Sequence, residues 1–238
     1  MSIAEKLTII AENEQRVYDS GYSKAESDID LWLWNSITSK GSRKNYARAF
    51  NTTDFSGYTF VKPITPTGLI YQIFYDYTGK YLPNNIDFSK VPQSELDKTS
   101  SGGGMAQVFS YAVYLLEVPY LGWKTPKAYY QTFAYSRKAV TIEKIPVMKE
   151  TTFSNTFTQC SSLKEVTFEG EIGNNISFAD CSELTTESMN NIVGCLYDFV
   201  GNGETTTKTL TVHADVYART PEELKEEARG KGWSIVSA

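Results

Sequence analysis

Few side chains in this sequence could carry out catalysis. His213 is the only histidine, and no Cys, Asp or Glu accompanies it at the spacing of a metal site. A Ser/His/Asp triad would have to use this histidine, and the sequence has no G-x-S-x-G elbow for the nucleophile. Paired acids such as Glu222 and Glu223 stand at predicted helix starts, where acidic residues favour the first turn. The sequence therefore predicts no enzyme, no metal site and no cofactor.

Two cysteines could suggest a zinc or redox site, but both belong to a repeated motif. Cys160 and Cys181 lie in the pattern F-x-x-C-S-x-L, which begins at Phe157 and again at Phe178. Self-similarity at a fixed period in the twenties indicates a solenoid. A buried thiol packs as a small apolar group. The repeat therefore predicts that these cysteines pack in a core and do not react.

The same pattern can be followed upstream from Phe157 in steps of 24 residues, to Phe133 and to Phe109. A longer step leads to Phe74, with a polar insert at Pro92–Gly104 accounting for the added length. Stacked coils require such columns, because each coil buries the same inward positions against its neighbours. The small column is Ala112, Ser136, Cys160 and Cys181, and the apolar columns are Leu115, Ala139, Leu163 and Leu184, then Val118, Ile142 and Val166, then Met105, Tyr129 and Phe153.

With these columns the chain resembles BspA-like leucine-rich repeats, in which an aromatic residue, a small residue or Cys, and a Leu mark each turn of a solenoid. The resemblance covers about residues 70 to 185. It implies a protein that binds proteins, glycans or cell surfaces, since such repeats are not usually catalytic. The stretch SIAEKLTIIAENEQRVYDSGYSKAE is similar to the leader of repeat proteins found among tail and prophage genes of gut-type bacteria. The ending K-G-W-S-I is similar to the ends of many phage-associated BspA-like proteins.

Residues 1–60 are predicted to form a helical region for attachment or oligomerisation. A capping box, S-x-x-E, opens the first helix at Ser2. A narrow apolar stripe follows, which suits either a seam between identical helices or one helix laid on a domain. The seam would make the protein a homo-oligomer, with a trimer favoured. The stripe consists of Ile3, Leu7, Ile10 and Val17.

Residues 186–238 are predicted to form a cap that covers the end of the repeats. A helix is expected from Thr186 to Val200, and a strand over Thr207–Val212. A second helix should begin at Pro221, and a last strand is expected over Trp233–Val236. The predicted fold class is therefore α/β. It comprises a short leucine-rich-repeat (BspA-like) solenoid over residues 61–185, N-terminal helices and a C-terminal strand–helix–strand cap.

Composition narrows the choice of partner. The net charge of −5 leaves no electrostatic footprint for a nucleic acid. No apolar run approaches the roughly 18 residues that span a bilayer, and the first residues do not have the pattern of a signal peptide. The chain has 16 tyrosines, whose rigid rings with one polar end suit a contact surface. The candidate contact residues are Tyr111, Tyr114, Tyr120, Tyr129, Tyr130 and Tyr135.

Together these features predict a non-enzymatic structural protein of a phage or prophage tail, located on the virion. Its helices would attach it to other virion proteins or to sister subunits. Its repeats would bind a partner protein or a host cell-surface protein or glycan. A bacterial cell-surface adhesin with the same repeats is one alternative. A glycan-degrading tail protein is another, and it would need two facing carboxylates.

Overall fold

The computed structural model describes residue 50 and residues 54–56, 59–99 and 103–238. Over this part the chain is a mixed α/β structure with three short parallel sheets and four helices. This agrees with the predicted α/β class. The predicted N-terminal helices lie outside the described residues, and so do the stripe residues Ile3, Leu7, Ile10 and Val17.

Every pair of strands in the described part of the chain is parallel. Parallel strands need crossover connections, so each pairing joins residues that are far apart in sequence. The first sheet contains β1 (Thr59–Ile64) and β2 (Asn84–Ile86), the second β3 (Glu117–Val118), β4 (Thr141–Val147) and β5 (Glu165–Gly170), and the third β6 (Ile176–Phe178), β7 (Lys208–Val212) and β8 (Trp233–Ser237).

A stack of buried phenylalanine rings runs through the core. The ring centroids of Phe74 and Phe109 are 5.5 Å apart, and those of Phe109 and Phe133 are 5.6 Å apart, with 4° between the ring planes in both pairs. Phe157 continues the stack at 5.6 Å from Phe133, and Phe178 follows at 4.5 Å from Phe157. The anchors inferred from the spacing therefore lie one on another, even across the long step from Phe74.

The stack also extends beyond the predicted repeat region. Phe50, which the sequence analysis placed in the N-terminal helical region, is completely buried. Its ring stacks on Phe74 at 4.9 Å and 12°. Its backbone N–H donates to the carbonyl of Ile73 at 3.0 Å. Phe50 precedes Phe74 by 24 residues, so the spacing itself contained the signal for this ring.

Backbone hydrogen bonds tie the anchor segments together. The N–H of Phe109 donates to the carbonyl of Thr132 at 2.8 Å, and that of Phe133 donates to Thr156 at 3.1 Å. Intervening N–H groups donate three residues back within their own segment, as from Ser136 to Phe133. This side of the molecule is therefore a ladder of tight turns. Each of these segments contains two non-glycine residues with positive φ, four positions apart, in the left-handed region that such residues rarely adopt. The pairs are Gln72 and Asp76, Gln107 and Tyr111, Gln131 and Tyr135, and Asn155 and Gln159.

Four helices lie in the described part of the chain. They are α1 (Gln93–Leu96), α2 (Thr186–Gly194), α3 (Ala214–Arg219) and α4 (Glu222–Gly230). The first lies within the predicted polar insert, and the other three belong to the predicted cap. None of these helices is long and apolar enough to cross a lipid bilayer.

Helix α2 covers the edge of β5. The Ser188 hydroxyl accepts a hydrogen bond from the N–H of Val166 at 3.0 Å, and the Asn191 side-chain oxygen accepts one from Phe168 at 2.8 Å. These side chains replace the backbone partners that another strand would supply. An open strand edge can recruit other chains, so α2 ends this sheet without leaving its donors unpaired.

The remainder of the cap matches the prediction except at two places. β7, α4 and β8 form the predicted strand–helix–strand unit. The first cap helix was predicted to run to Val200, which was wrong, because it ends at Gly194 and Leu196 forms a parallel bridge with Ile172. Helix α3 was not predicted. Val200 is 57 % exposed, so its helical spacing was coincidental.

A polar cluster joins the cap to the preceding segments. The Lys149 ammonium lies 2.7 Å from Oε1 of Glu204, and the Tyr197 hydroxyl donates to the same oxygen at 2.9 Å. The hydrogen bond between Lys149 and Glu204 lowers the pKa of the Glu204 carboxyl and raises the pKa of the Lys149 ammonium. Both shifts favour the charged pair.

Candidate binding surfaces

His213 begins a helix. Its Nδ1 accepts a hydrogen bond from the N–H of Asp215 at 3.2 Å, and this contact caps α3. The Asp215 carboxylate lies 3.5 Å from the same nitrogen. Among the described residues, no group of three His, Cys, Asp or Glu side chains could hold a metal ion.

Hydrogen bonds that the sequence did not reveal help to explain the residue types of the small column. Each polar member donates to the carbonyl of the preceding anchor. Ser136 donates to Phe109 at 2.7 Å. The Cys160 thiol donates to Phe133 at 3.1 Å, and the Cys181 thiol lies 3.7 Å from the carbonyl of Phe157. Larger side chains could not enter this space between stacked segments.

The thiols of Cys160 and Cys181 are unreactive near neutral pH. Both are completely buried, and burial raises the pKa of the Cys160 thiol to about 12. Burial likewise raises the pKa of Cys181 well above its ordinary value. Because the thiolate is the reactive form of cysteine, neither residue is a nucleophile near neutral pH. Their geometry agrees with the packing role inferred from the repeat.

We expect Cys160→Ser to keep the fold, since Ser136 makes the equivalent bond one segment earlier. In the wild type, the unfolded thiol loses its proton near pH 8.5, by the ordinary value of about 8.5 for cysteine, whereas the folded thiol keeps it until about pH 12. The contribution of Cys160 to stability is thus complete below the unfolded pKa and is lost as pH rises towards 12. The variant lacks this loss.

Urea midpoints at pH 7, 9 and 10 measure the effect. The difference in urea midpoint between the wild type and Cys160→Ser should become smaller as the pH rises. The control is Ser161→Ala, at an exposed neighbour with no titrating group, and its urea midpoint should change with pH as that of the wild type does. If the urea midpoints of the wild type and Cys160→Ser changed identically with pH, the raised pKa of the buried Cys160 thiol would be contradicted.

The structure removes one tyrosine from the predicted contact set. Tyr129 is completely buried, and its hydroxyl donates to the carbonyl of Pro146 at 2.8 Å. The same oxygen accepts a hydrogen bond from Nε1 of Trp123 at 3.1 Å. Its assignment to a contact surface was wrong, because the position four residues before the anchors Phe109, Phe133 and Phe157 faces the core.

Three of the other candidates are exposed and two are half-buried. Tyr111 is 37 % exposed and Tyr114 is 50 % exposed. The Lys138 ammonium lies 5.0 Å from the centroid of the Tyr114 ring. Tyr120 is also exposed, and its ring packs edge-on against Trp123. Tyr130 and Tyr135 are half-buried.

Two of these tyrosines are brought together on the ladder of tight turns. The Tyr111 and Tyr135 rings stack at 4.4 Å and 11°, and Tyr75 meets Tyr111 at 5.3 Å and 48°. We call Tyr75, Tyr111 and Tyr135 the tyrosine strip. The backbone holds them in place, since the N–H of Tyr111 donates to Ala134 and that of Tyr135 donates to Thr158. The stacked faces cover one another, so the strip presents ring edges and hydroxyls.

A glutamine ladder lies next to the strip, three residues before Tyr75 and four residues before Tyr111 and Tyr135. Nε2 of Gln72 donates to Oε1 of Gln107 at 2.7 Å, and Nε2 of Gln107 donates to Oε1 of Gln131 at 2.7 Å. The Tyr71 hydroxyl also donates to Oε1 of Gln107, at 3.0 Å. Stacked amides of this kind reinforce one another along a repeat. The glutamines stand two residues before successive anchors, so this column could have been read from the sequence, and it was missed.

The strip, together with Gln107 and Gln131 of the ladder, forms a surface of phenols and amides, which we call the turn face; Gln72 is buried. Such groups donate and accept hydrogen bonds and bury ring area, and these are the properties of a recognition surface. Comparison with protein-family models, curated proteins and solved structures finds no match for this chain. The candidate surfaces therefore rest on geometry and chemistry alone.

Proposed function

We propose that this protein is a non-enzymatic recognition protein. It is built as a short leucine-rich-repeat solenoid of the BspA type, and its turn face binds a partner protein or a component of a bacterial surface. The observation that carries the proposal is the stacked pair Tyr111 and Tyr135 beside the glutamine ladder. These side chains are aligned outside the core columns.

The solenoid part of the proposal is supported by repetition along one direction. Phenylalanine rings stack from segment to segment, and backbone hydrogen bonds join residues about one repeat apart. The strands β3, β4 and β5 lie side by side in one sheet in the order of the chain. In a repeat protein each unit contacts chiefly its neighbours, and the outward positions form a continuous surface. The turn face is such a surface.

The rigidity of the turn face favours binding. Ordering a long side chain at an interface costs roughly 0.5–1.5 kcal/mol. Here the rings are already stacked, and the amides are already hydrogen-bonded to each other. Tyrosine also has few rotatable bonds and is common among the residues that dominate binding energy. The side chains of the strip would therefore lose little entropy when a partner with a flat polar surface binds.

The proposed setting is a phage or prophage tail, on the resemblance of both chain ends to proteins of that kind. A homotrimer formed through Ile3, Leu7, Ile10 and Val17 would present three turn faces. Linked sites convert weak single contacts into strong overall binding. A bacterial cell-surface adhesin would use the same surface and would differ in where the protein resides.

We expect the double variant Tyr111→Ala, Tyr135→Ala to bind bacterial envelopes about tenfold or more weakly than the wild type, because two interface tyrosines together are worth about 2 kcal/mol. Labelled protein is titrated onto envelopes from a panel of gut bacteria, and saturation binding is measured. Tyr217→Ala, a half-buried tyrosine of the cap, is the matched control and should bind like the wild type.

Two outcomes would contradict the proposal. One is wild-type protein that binds no envelope in the panel, and the other is a double variant that binds as tightly as the wild type. Light scattering on the same samples, with and without residues 1–20, measures the oligomeric state. A monomeric full chain at high concentration would remove the trimer.

A further inference from the structure

A groove opens between the first and second sheets. β2 and β3 follow the successive anchors Phe74 and Phe109, yet they belong to different sheets, whereas β3, β4 and β5 form one sheet. The two segments are joined on either side of the gap. The N–H of Leu116 donates to Lys80 at 2.9 Å, and that of Phe88 donates to Leu121 at 2.6 Å. Between these bonds lies a groove of about 450 Å³.

The groove has the size and the mixed lining of a small-molecule site. Pockets for small ligands occupy roughly 300–1,000 Å³ and combine apolar walls with a few polar groups. Leu82, Ile86 and Leu121 supply apolar surface and are almost fully buried. Polar groups come from Asn84 and Glu117, both exposed.

Tyr81 lines the same groove and offers an open ring. Its side chain is 46 % exposed. Within the part of the chain that the structure describes, the Tyr81 side chain makes neither a ring contact nor a hydrogen bond. Its backbone is held firmly, since the Tyr77 hydroxyl donates to its carbonyl at 2.8 Å and the Ser56 hydroxyl accepts from its N–H at 3.1 Å. Unlike the strip tyrosines, Tyr81 can present a ring face to a ligand.

The polar groups are suited to neighbouring hydroxyls. The Glu117 carboxylate has no ion-pair partner among the described residues and can accept several hydrogen bonds. The Asn84 amide donates through Nδ2 to Thr59 at 2.8 Å, which orients its Oδ1 as an acceptor. A sugar ring offers what these groups require, with adjacent hydroxyls at its edge and an apolar C–H face for an aromatic ring.

An added peptide strand fits the groove less well. Strand addition relies on backbone N–H and C=O groups at both edges of the gap. Pro83 and Pro119 line the groove, one on each side, and neither has an N–H. Prolines at such positions discourage strand pairing. The uncompensated carboxylate of Glu117 disfavours an anionic ligand.

We propose that the groove between β2 and β3 binds a neutral sugar residue. Tyr81 stacks on the ring of the sugar, and Glu117 and Asn84 accept hydrogen bonds from its hydroxyls. The inference rests on the proposed recognition function and assigns a ligand class to a surface separate from the turn face.

Saturation-transfer NMR on the full chain tests this assignment. The probes are the methyl glycosides of glucose, galactose, mannose and N-acetylglucosamine. We expect transfer to at least one glycoside, with a dissociation constant on the order of 1 mM. Tyr81→Ala should weaken binding about tenfold, and Glu117→Gln should weaken it by a smaller factor, since a charge-assisted acceptor becomes neutral. Tyr217→Ala, a half-buried tyrosine of the cap outside the groove, should leave binding unchanged.

Transfer to none of the four glycosides would overturn the inference, and so would equal binding by Tyr81→Ala and the wild type in samples whose circular dichroism is unchanged. The double variant of the tyrosine strip separates the two proposals. It should keep sugar binding and lose envelope binding. Envelope binding without any sugar binding would overturn only the groove, and sugar binding without envelope binding would overturn only the turn face.

Discussion

Phe133→Ala should lower the free energy of unfolding by about 3–5 kcal/mol, the usual loss when a buried phenylalanine is truncated. The Phe133 side chain is completely buried and is stacked on both faces, by Phe109 at 5.6 Å and Phe157 at 5.6 Å. Each such aromatic pair is worth about 0.5–1.5 kcal/mol beyond the area that it buries. The variant loses both pairs at once.

The cavity left by Phe133→Ala cannot close easily. The backbone of each neighbouring anchor is held by hydrogen bonds to the adjacent segment, as Phe109 is held to Thr132 at 2.8 Å. The cost of a large-to-small substitution rises with the volume that remains empty. The loss should therefore fall in the upper part of its range.

Chemical denaturation followed by circular dichroism measures this loss, with Tyr114→Ala as the control. Tyr114 is 50 % exposed in the segment before Phe133, and its truncation should change stability by less than about 0.5 kcal/mol. Hydrogen exchange adds a second measurement. Protection should fall at the amides of both Phe109 and residue 133, whose bonds cross between segments. A loss below 1 kcal/mol would show that the ring stack does not hold the segments together.

Trp233→Ala should lower the free energy of unfolding by about 3–5 kcal/mol as well, by truncating a buried side chain of the cap. Trp233 is 1 % exposed and begins β8. Its Nε1 donates to the carbonyl of Tyr197 at 3.0 Å, and its ring lies 6.1 Å from that of Phe199. The substitution removes the ring and leaves the Tyr197 carbonyl without this partner, which adds a desolvation cost.

The wider consequence concerns the edge of the third sheet. β8 pairs with β7 along its length. If β8 loosens, β7 becomes an open strand edge that can pair with other chains. We therefore expect Trp233→Ala to unfold at a lower temperature than the wild type. We also expect it to aggregate on warming, which light scattering would show as an increase in apparent mass.

Val236→Ala is the matched control for Trp233→Ala, because it lies in the same strand and is 37 % exposed. It should unfold at nearly the wild-type denaturant concentration. Equal stability of Trp233→Ala and Val236→Ala would mean that the cap contributes little to the cooperative unit.

The residues that pack inward could be identified from the order of residue types along the chain. Phe109, Phe133 and Phe157 could be recognised as anchors because every segment must bury the same positions against the next, and that requirement repeats in the chain. The small column around Cys160 followed for the same reason. The cap strands β7 and β8 could be predicted because alternation and β-branching are local properties.

The exposed surfaces, in contrast, could be identified only from the folded chain. Whether Tyr111 is stacked and Tyr81 is open depends on residues about one repeat away, which spacing does not specify outside the core columns. Tyr129 was misjudged because its ring belongs to a core column while its chemistry resembles that of a contact residue. The groove between β2 and β3 arises where the long step to Phe109 interrupts strand pairing, and hydrogen bonding across such a gap is decided in space.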